Sequence, residues 1–182
     1  MMASHRFGRV QFHALAVSLG MVLSLGFTQV VAAADELPRE AVLPLVLATK
    51  AATTALEKCT KDGYRVTVAV VDRAGVLKAL VRGDGAGPHT TDSSTKKAYT
   101  AASLRRPTAE LAEMVAKTPA AEGLHYMNDK VLILGGGLPI EIAGEVVGGI
   151  GVGGAPGGHL DAACAQAGLD SIGAAPKVPA AK

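Results

Sequence analysis

The residues best suited to ligand chemistry lie between positions 82 and 106. Backbone N–H groups at a helix start, together with Lys and Arg side chains, bind carboxylate or phosphate groups. This segment combines a predicted helix start with a glycine-rich loop that contains His89. It therefore predicts an anion-binding surface, and the alternative is an ordinary solvated helix face. Five basic side chains stand against two acidic ones: Arg82, Lys96, Lys97, Arg105 and Arg106 against Asp84 and Asp92.

Three histidines follow the first 34 residues, and a neutral imidazole is a ligand for iron and other transition metals. His89 lies beside the basic segment, and His125 stands next to Tyr126 and Met127, which offer phenolate and thioether groups. His159 starts a predicted helix, where a surface or capping role is expected. His89 and His125 are therefore the candidate metal ligands, and a structural role for each is the alternative.

Nucleotide-binding, serine-hydrolase and zinc sites are excluded, because the sequence lacks the residues that they require. The runs at residues 135–137 and 148–154 lack the Lys-Ser/Thr ending of a P-loop and the context of a dinucleotide fold. Glycines in a strand more often mark close approach of another backbone, a second subunit or a flat ligand. Neither a GxSxG elbow nor Cys/His spacing typical of zinc is present in the sequence.

Composition disfavours nucleic acid as a partner. The 182 residues carry a formal charge of +2, and this surplus comes from Arg6 and Arg9. All three Phe residues also lie within the first 34 positions, which leaves three Tyr residues as the aromatic side chains of the remainder. Bulk positive charge and stacking platforms for bases are therefore both missing.

The N-terminus has the pattern of a secretory signal. Basic residues precede an apolar stretch over positions 14–31, and small residues follow at 32–34. We expect cleavage before Asp35, with an uncleaved membrane anchor as the alternative. The predicted location is periplasmic or extracellular. In that compartment Cys59 and Cys164 either form a disulfide or remain two small buried residues.

Apolar periodicity and breaker residues predict an α+β domain over residues 35–174, followed by a disordered tail at 175–182. The first helix is expected at about 39–62, with Pro44 either in its first turn or delaying its start to that point. Further helices are expected from 91 or 92 to 106, at 108–117 and at 159–172. We expect one antiparallel sheet, with the first and last helices covering one face. Its five strands are predicted at 64–72, 76–82, 131–134, 138–143 and 146–152.

Six ordered blocks resemble the GlcG/HbpS-like haem-binding, haem-degrading family, and the leader resembles its secreted branch. The resemblance spans about residues 41–173. It is carried by VVDRAG at 70–75, LVRGDGAGP at 80–88, STKKAYTAA at 94–102, PTAEL at 107–111, GGGLP at 135–139 and GIGVGGAP at 149–156.

This resemblance implies a profilin-like sheet flanked by helices, a homo-oligomer, often an octamer, and binding of haem or iron with haem-degrading activity. In the secreted branch it also implies redox sensing through a membrane histidine kinase. A threonine is implicated in haem binding in that branch, and Thr108 in the PTAEL block is the nearest match, with Thr100 second. His89 stands where close relatives have a polar residue.

Three functional hypotheses follow. The first is an extracytoplasmic haem-binding protein with His89 or His125 near the iron. The second is an interaction module that regulates a sensor kinase, and the third is a binder of a small organic acid. In the first, the haem-binding residues are Arg82, His89, Lys96, Lys97, Thr100, Arg106 and Thr108.

Overall fold

A computed structural model of the chain describes residues 39–174. The predicted signal segment at 1–34 and the predicted tail at 175–182 lie outside the described residues. Four α-helices, one 3-10 helix and four strands are present in the described part. In chain order they are α1 (Leu45–Lys61), β1 (Thr67–Asp72), β2 (Leu77–Arg82), α2 (His89–Leu104), α3 (Thr108–Lys117), the 3-10 helix (Pro119–Tyr126), β3 (Gly137–Ile142), β4 (Glu145–Gly153) and α4 (Gly158–Ser171).

Proline and a left-handed residue set two helix boundaries. Pro44 stands just before α1, and its carbonyl accepts hydrogen bonds from the N–H groups of Leu47 and Ala48. A proline at this position removes no bond within the helix, and the start of α1 at Leu45 agrees with the prediction that Pro44 delays the helix. Helix α2 ends where Arg105 adopts a left-handed conformation with φ of 53°. Pro107 then separates α2 from α3.

The sheet has four antiparallel strands in the order β2-β1-β4-β3, so the prediction of five strands is wrong. Residues 131–134 carry the apolar pattern of a strand but join no ladder. The Val131 N–H donates to the side chain of Asn128, and the Leu132 N–H donates to the hydroxyl of Thr100. Side chains therefore take the backbone donors that a neighbouring strand would otherwise bind.

The two faces of the sheet are covered differently. Helices α1 and α4 bury one face in the main apolar core, as predicted for the first and last helices. Helix α2 covers the other face, where Ala98 and Ala102 pack against Ala69 and Val71. A Cβ added to Gly149 or Gly151 would overlap a carbonyl oxygen of α2. These glycines permit close approach of the helix backbone, one of the predicted alternatives, and α2 covers the surface that a flat ligand would need.

A disulfide joins α1 to α4. Cys59 and Cys164 are bonded, with their Cα atoms 5.5 Å apart, and both are fully buried. Of the two predicted alternatives, a disulfide or two separate buried residues, the structure has the disulfide. Within residues 39–174, no helix is long and apolar enough to cross a membrane.

Candidate functional site

Three side chains pack on the glycine-rich loop at residues 83–87, which joins β2 to α2. The Arg82 guanidinium donates through Nη2 to the Ala86 carbonyl. Gly85 has φ of +75°, and a Cβ placed on it would lie 3.1 Å from Cδ of Arg65. A Cβ placed on Gly87 would lie 2.6 Å from Cε1 of the His89 ring. The loop therefore brings Arg65, Arg82 and His89 to one end of the sheet.

A buried chain of hydroxyl groups fixes this loop to the sheet. The Thr90 hydroxyl donates to the Gly87 carbonyl at 2.6 Å, and it lies 2.6 Å from the hydroxyl of Thr67 on β1. Because Thr90 has a single hydroxyl proton, Thr67 is the donor in the second bond. Both threonines are buried, so the start of α2 is held in place against the first strand.

A cleft of about 460 Å³ opens beside the loop. Small-molecule pockets usually measure roughly 300–1,000 Å³, so this cleft is large enough for such a ligand. Arg65 and Arg82 both line it, and neither has a carboxylate partner within residues 39–174. The cleft is therefore cationic. Its full lining is Leu56, Thr60, Gly63, Tyr64, Arg65, Arg82, Gly83 and Asp84.

Two further predicted residues lie outside the core: Lys96 on the outer face of α2 and Arg106 beyond its end. Lys96 follows His89 by seven positions, about two helical turns, so both lie on the same side of the helix. Lys96 makes an ion pair of 3.1 Å with Asp92 and is one-third exposed. Arg106 is exposed beyond the end of α2. His89 is also exposed, and its imidazole is accessible from solvent.

Three of the predicted haem-binding residues lie inside the protein. The Lys97 ammonium donates to the Val152 carbonyl at 2.9 Å and to the Asp161 carboxylate at 2.8 Å. The Thr100 hydroxyl donates to the Lys96 carbonyl at 2.8 Å. The hydroxyl of Thr108 accepts the Gly137 N–H at 2.8 Å. In this conformation these polar groups connect α2, α3 and the sheet.

The pair formed by Lys97 and Asp161 is the main electrostatic feature of the interior. Burial raises the pKa of the Asp161 carboxyl, while the hydrogen bond and the charge of Lys97 act in the opposite direction. The second carboxylate oxygen accepts the Ala155 N–H at 3.0 Å. The pair therefore holds the loop after β4 against α2 and α4.

His125 lies on the 3-10 helix, which packs against α3 rather than on the glycine-rich loop. Its ring meets that of Tyr126 edge to face at 6.3 Å, and both side chains are exposed. Met127 is exposed as well. The described residues contain no group of three or more His, Cys, Asp or Glu side chains placed to hold a metal ion.

Arg65 was not selected from the sequence, although a usable signal was present. In the β1–β2 hairpin, Thr67 pairs with Arg82 and Val68 pairs with Val81. Extending this register by two residues places Arg65 opposite Asp84, at the edge of the glycine-rich loop. Since the turn at residues 73–75 was predicted, the register alone would have brought both arginines to the same end of the sheet.

The chain is therefore an α+β domain with an antiparallel sheet covered by helices and a cationic cleft at one end. Residues 43–170 match the family model "Haem degrading protein HbpS-like". The chain belongs to this GlcG/HbpS-like family of haem-degrading proteins.

Solved and curated relatives agree with this assignment. A double mutant of HbpS from Streptomyces reticuli is 47% identical with a TM-score of 0.70, covering 78% of this chain and 94% of that protein. The GlcG protein of Escherichia coli K12 is 36% identical over 53% of this chain and 69% of its own length. A structure described as a PduOC–heme complex is 26% identical with a TM-score of 0.68, covering 74% of this chain and 98% of that one.

Proposed function

We propose that this chain binds haem at the end of the sheet where the glycine-rich loop meets α2. In this arrangement the His89 imidazole would hold the iron, and cations near the loop would bind the propionates. The observation that carries the proposal is the packing of His89 and Arg82 on the same loop beside a cationic cleft. The heme complex of a relative with the same fold supports haem as the ligand class.

The chemistry of the available donors fits haem. A porphyrin supplies four nitrogen ligands to its iron, so a single accessible imidazole would be enough for the protein to hold the iron. His89 is exposed and needs no rearrangement of the core to reach a ligand. The two propionates require cationic donors, which Arg82 provides at the cleft and Lys96 provides on α2. Arg106 lies beyond the far end of α2, roughly 25 Å from His89, and has no part in this site. The side chains of Leu56 and Tyr64 supply apolar surface beside these charges.

The interior residues have a supporting part in this proposal. Lys97 joins α2 to β4 and α4, Thr100 joins α2 to the segment at residue 132, and Thr108 joins α3 to β3, through bonds that a ligand would have to displace. We therefore assign them to positioning the surface and His89 to contact with the iron. Bound haem supplies an iron centre able to activate oxygen, and the protein's part is to bind and orient it.

The site proposal is tested by titrating hemin into the mature protein and recording the Soret band. His89→Ala is expected to weaken binding about tenfold and to change the band position, because the nitrogen that would hold the iron is lost. His159→Ala is the matched control, since His159 is also exposed near a helix start and packs on a glycine two positions earlier. If His125→Ala produces the loss instead, His125 would be the residue that holds the iron and the assignment to the loop fails.

Export is the second part of the proposal. A secretory signal at residues 1–34 would deliver the domain to an oxidising compartment, and the disulfide between Cys59 and Cys164 fits that environment. N-terminal sequencing of the protein recovered from the periplasm or the medium should begin at Asp35. Retention in the membrane fraction with residues 1–34 intact would instead favour an anchor.

Exposed apolar side chains support assembly as the alternative function. Val42, Leu45 and Val46 are 73%, 58% and 72% exposed, so the start of α1 carries a local cluster of exposed apolar side chains. Such side chains are typical of interaction surfaces when they cluster. A homo-oligomer and a membrane sensor kinase are the partners proposed for them. Light scattering of the purified protein tests the first, and cross-linking in membranes tests the second.

A further inference from the structure

Two arginines in the cleft have guanidinium groups available for a ligand. Arg82 uses Nη2 to bind the Ala86 carbonyl, and no hydrogen bond joins the Arg65 guanidinium to another group within residues 39–174. A guanidinium carries five N–H donors in a planar fork that matches the two oxygens of a carboxylate. Several donors at this cleft are therefore not used by the described protein.

The protein holds both side chains at the loop without neutralising them. The bond to Ala86 orients Arg82, while Arg65 lies against Gly85, where a larger residue would collide with it. Asp84 is the acidic residue of the cleft lining, and it makes no ion pair with either arginine. The cleft lining therefore carries the positive charges of Arg65 and Arg82 and the single negative charge of Asp84.

We propose that this cleft is a carboxylate-binding site in which Arg65 and Arg82 act together and Arg65 determines specificity. This inference rests in part on the proposed haem function, because the propionates of haem are one source of such carboxylates. A free small dicarboxylate is the other source. The recognising chemistry is the same in both cases, namely charge-assisted hydrogen bonds from two guanidinium groups.

The first experiment compares hemin with its dimethyl ester, whose propionates are uncharged. Arg65→Gln should weaken binding of hemin about tenfold, which corresponds to the loss of one charge-assisted hydrogen bond, and should leave binding of the ester nearly unchanged. Lys50→Gln removes the same charge from the exposed face of α1 and should alter neither affinity. Thermal unfolding of each variant establishes that the fold is retained.

The second experiment uses succinate and the haem-free protein, followed by calorimetry. Arg65→Gln should weaken succinate binding about tenfold. Asp84→Asn should strengthen it two- to fivefold, because a surface charge that repels the ligand is removed. Weaker succinate binding in Arg65→Gln together with stronger binding in Asp84→Asn distinguishes an anion site from a general loss of structure.

The two experiments separate the two proposals. If hemin does not bind but succinate binds with the expected dependence on Arg65 and Asp84, the haem function fails and the carboxylate site stands. If hemin binds with the same affinity to the wild type and to Arg65→Gln, and succinate shows no dependence on Arg65, the carboxylate site is overturned while the haem function stands.

Discussion

Breaking the buried pair between Lys97 and Asp161 should destabilise the domain severely. Their side chains are 3% and 4% exposed, and the ammonium donates to both the carboxylate and the Val152 carbonyl. Lys97→Met leaves the carboxylate buried with the Ala155 N–H as its remaining donor. Losing one partner of a buried ion pair costs about 3–5 kcal/mol. A domain of this size has roughly 5–15 kcal/mol of net stability, so this loss is a large share of it.

The loss should depend on pH in a defined direction. Burial raises the pKa of the Asp161 carboxyl above its ordinary value of 3.8. The carboxyl therefore contributes its full share to the free energy of unfolding below pH 3.8, and this contribution is lost as pH rises through the raised pKa. Lys97→Met removes the hydrogen bond and the charge that lower this pKa, so the Asp161 carboxyl stays protonated up to a higher pH. Lys97→Met should therefore be most destabilising at neutral pH and less so near pH 4, where the carboxyl can take up a proton.

Urea unfolding followed by circular dichroism at pH 7 and at pH 4 measures both effects. Lys96→Met is the matched control, because the neighbouring lysine pairs with Asp92 at the surface, and it should cost less than about 1 kcal/mol. Adding Asp161→Asn to Lys97→Met should restore part of the loss at pH 7, since no buried charge then remains. A loss below 1 kcal/mol for Lys97→Met, or one independent of pH, would refute this account of the pair.

Two further perturbations test the packing of the sheet. Reducing the disulfide between Cys59 and Cys164, which are separated by 105 positions, should lower the free energy of unfolding by about 4–5 kcal/mol; equal guanidinium midpoints for oxidised and reduced protein would contradict this. Gly151→Ala should cost more than about 3 kcal/mol in the same assay, because its Cβ would overlap the Ser94 carbonyl oxygen. Gly123→Ala, with open space around the new Cβ, should be nearly neutral, and equal costs for the two glycines would show that α2 does not rest on β4.

Local patterns predicted much of the fold because most elements follow their own periodicity. Alternation of β-branched residues around the turn at 73–75 predicted the hairpin, and the first and last helices cover the face expected for them. The false strand at 131–134 shows the limit of this approach. Its apolar pattern is genuine, but the Val131 N–H binds the nearby Asn128 side chain in a local turn, and the Leu132 N–H binds Thr100, 32 positions away, which no local pattern reveals.

The candidate site was predicted less completely, because charge along a helix does not tell which side faces the core. Lys96 and Lys97 are adjacent in sequence, yet one lies at the surface and the other is buried against Asp161, 64 positions away. The sequence did not predict Arg65, because it precedes β1 and comes to the loop only through the pairing of β1 with β2. His89 could be selected early because its loop and helix are contiguous in sequence.

The proposed site requires that the His89 nitrogen bind the iron of haem. Pulsed electron paramagnetic resonance of the hemin-loaded protein, produced with ¹⁵N-labelled histidine, detects this bond. We expect a ¹⁵N coupling to the ferric iron in the wild type and in His159→Ala, and none in His89→Ala. A coupling that persists in His89→Ala, or one that is missing in the wild type, would contradict the claim.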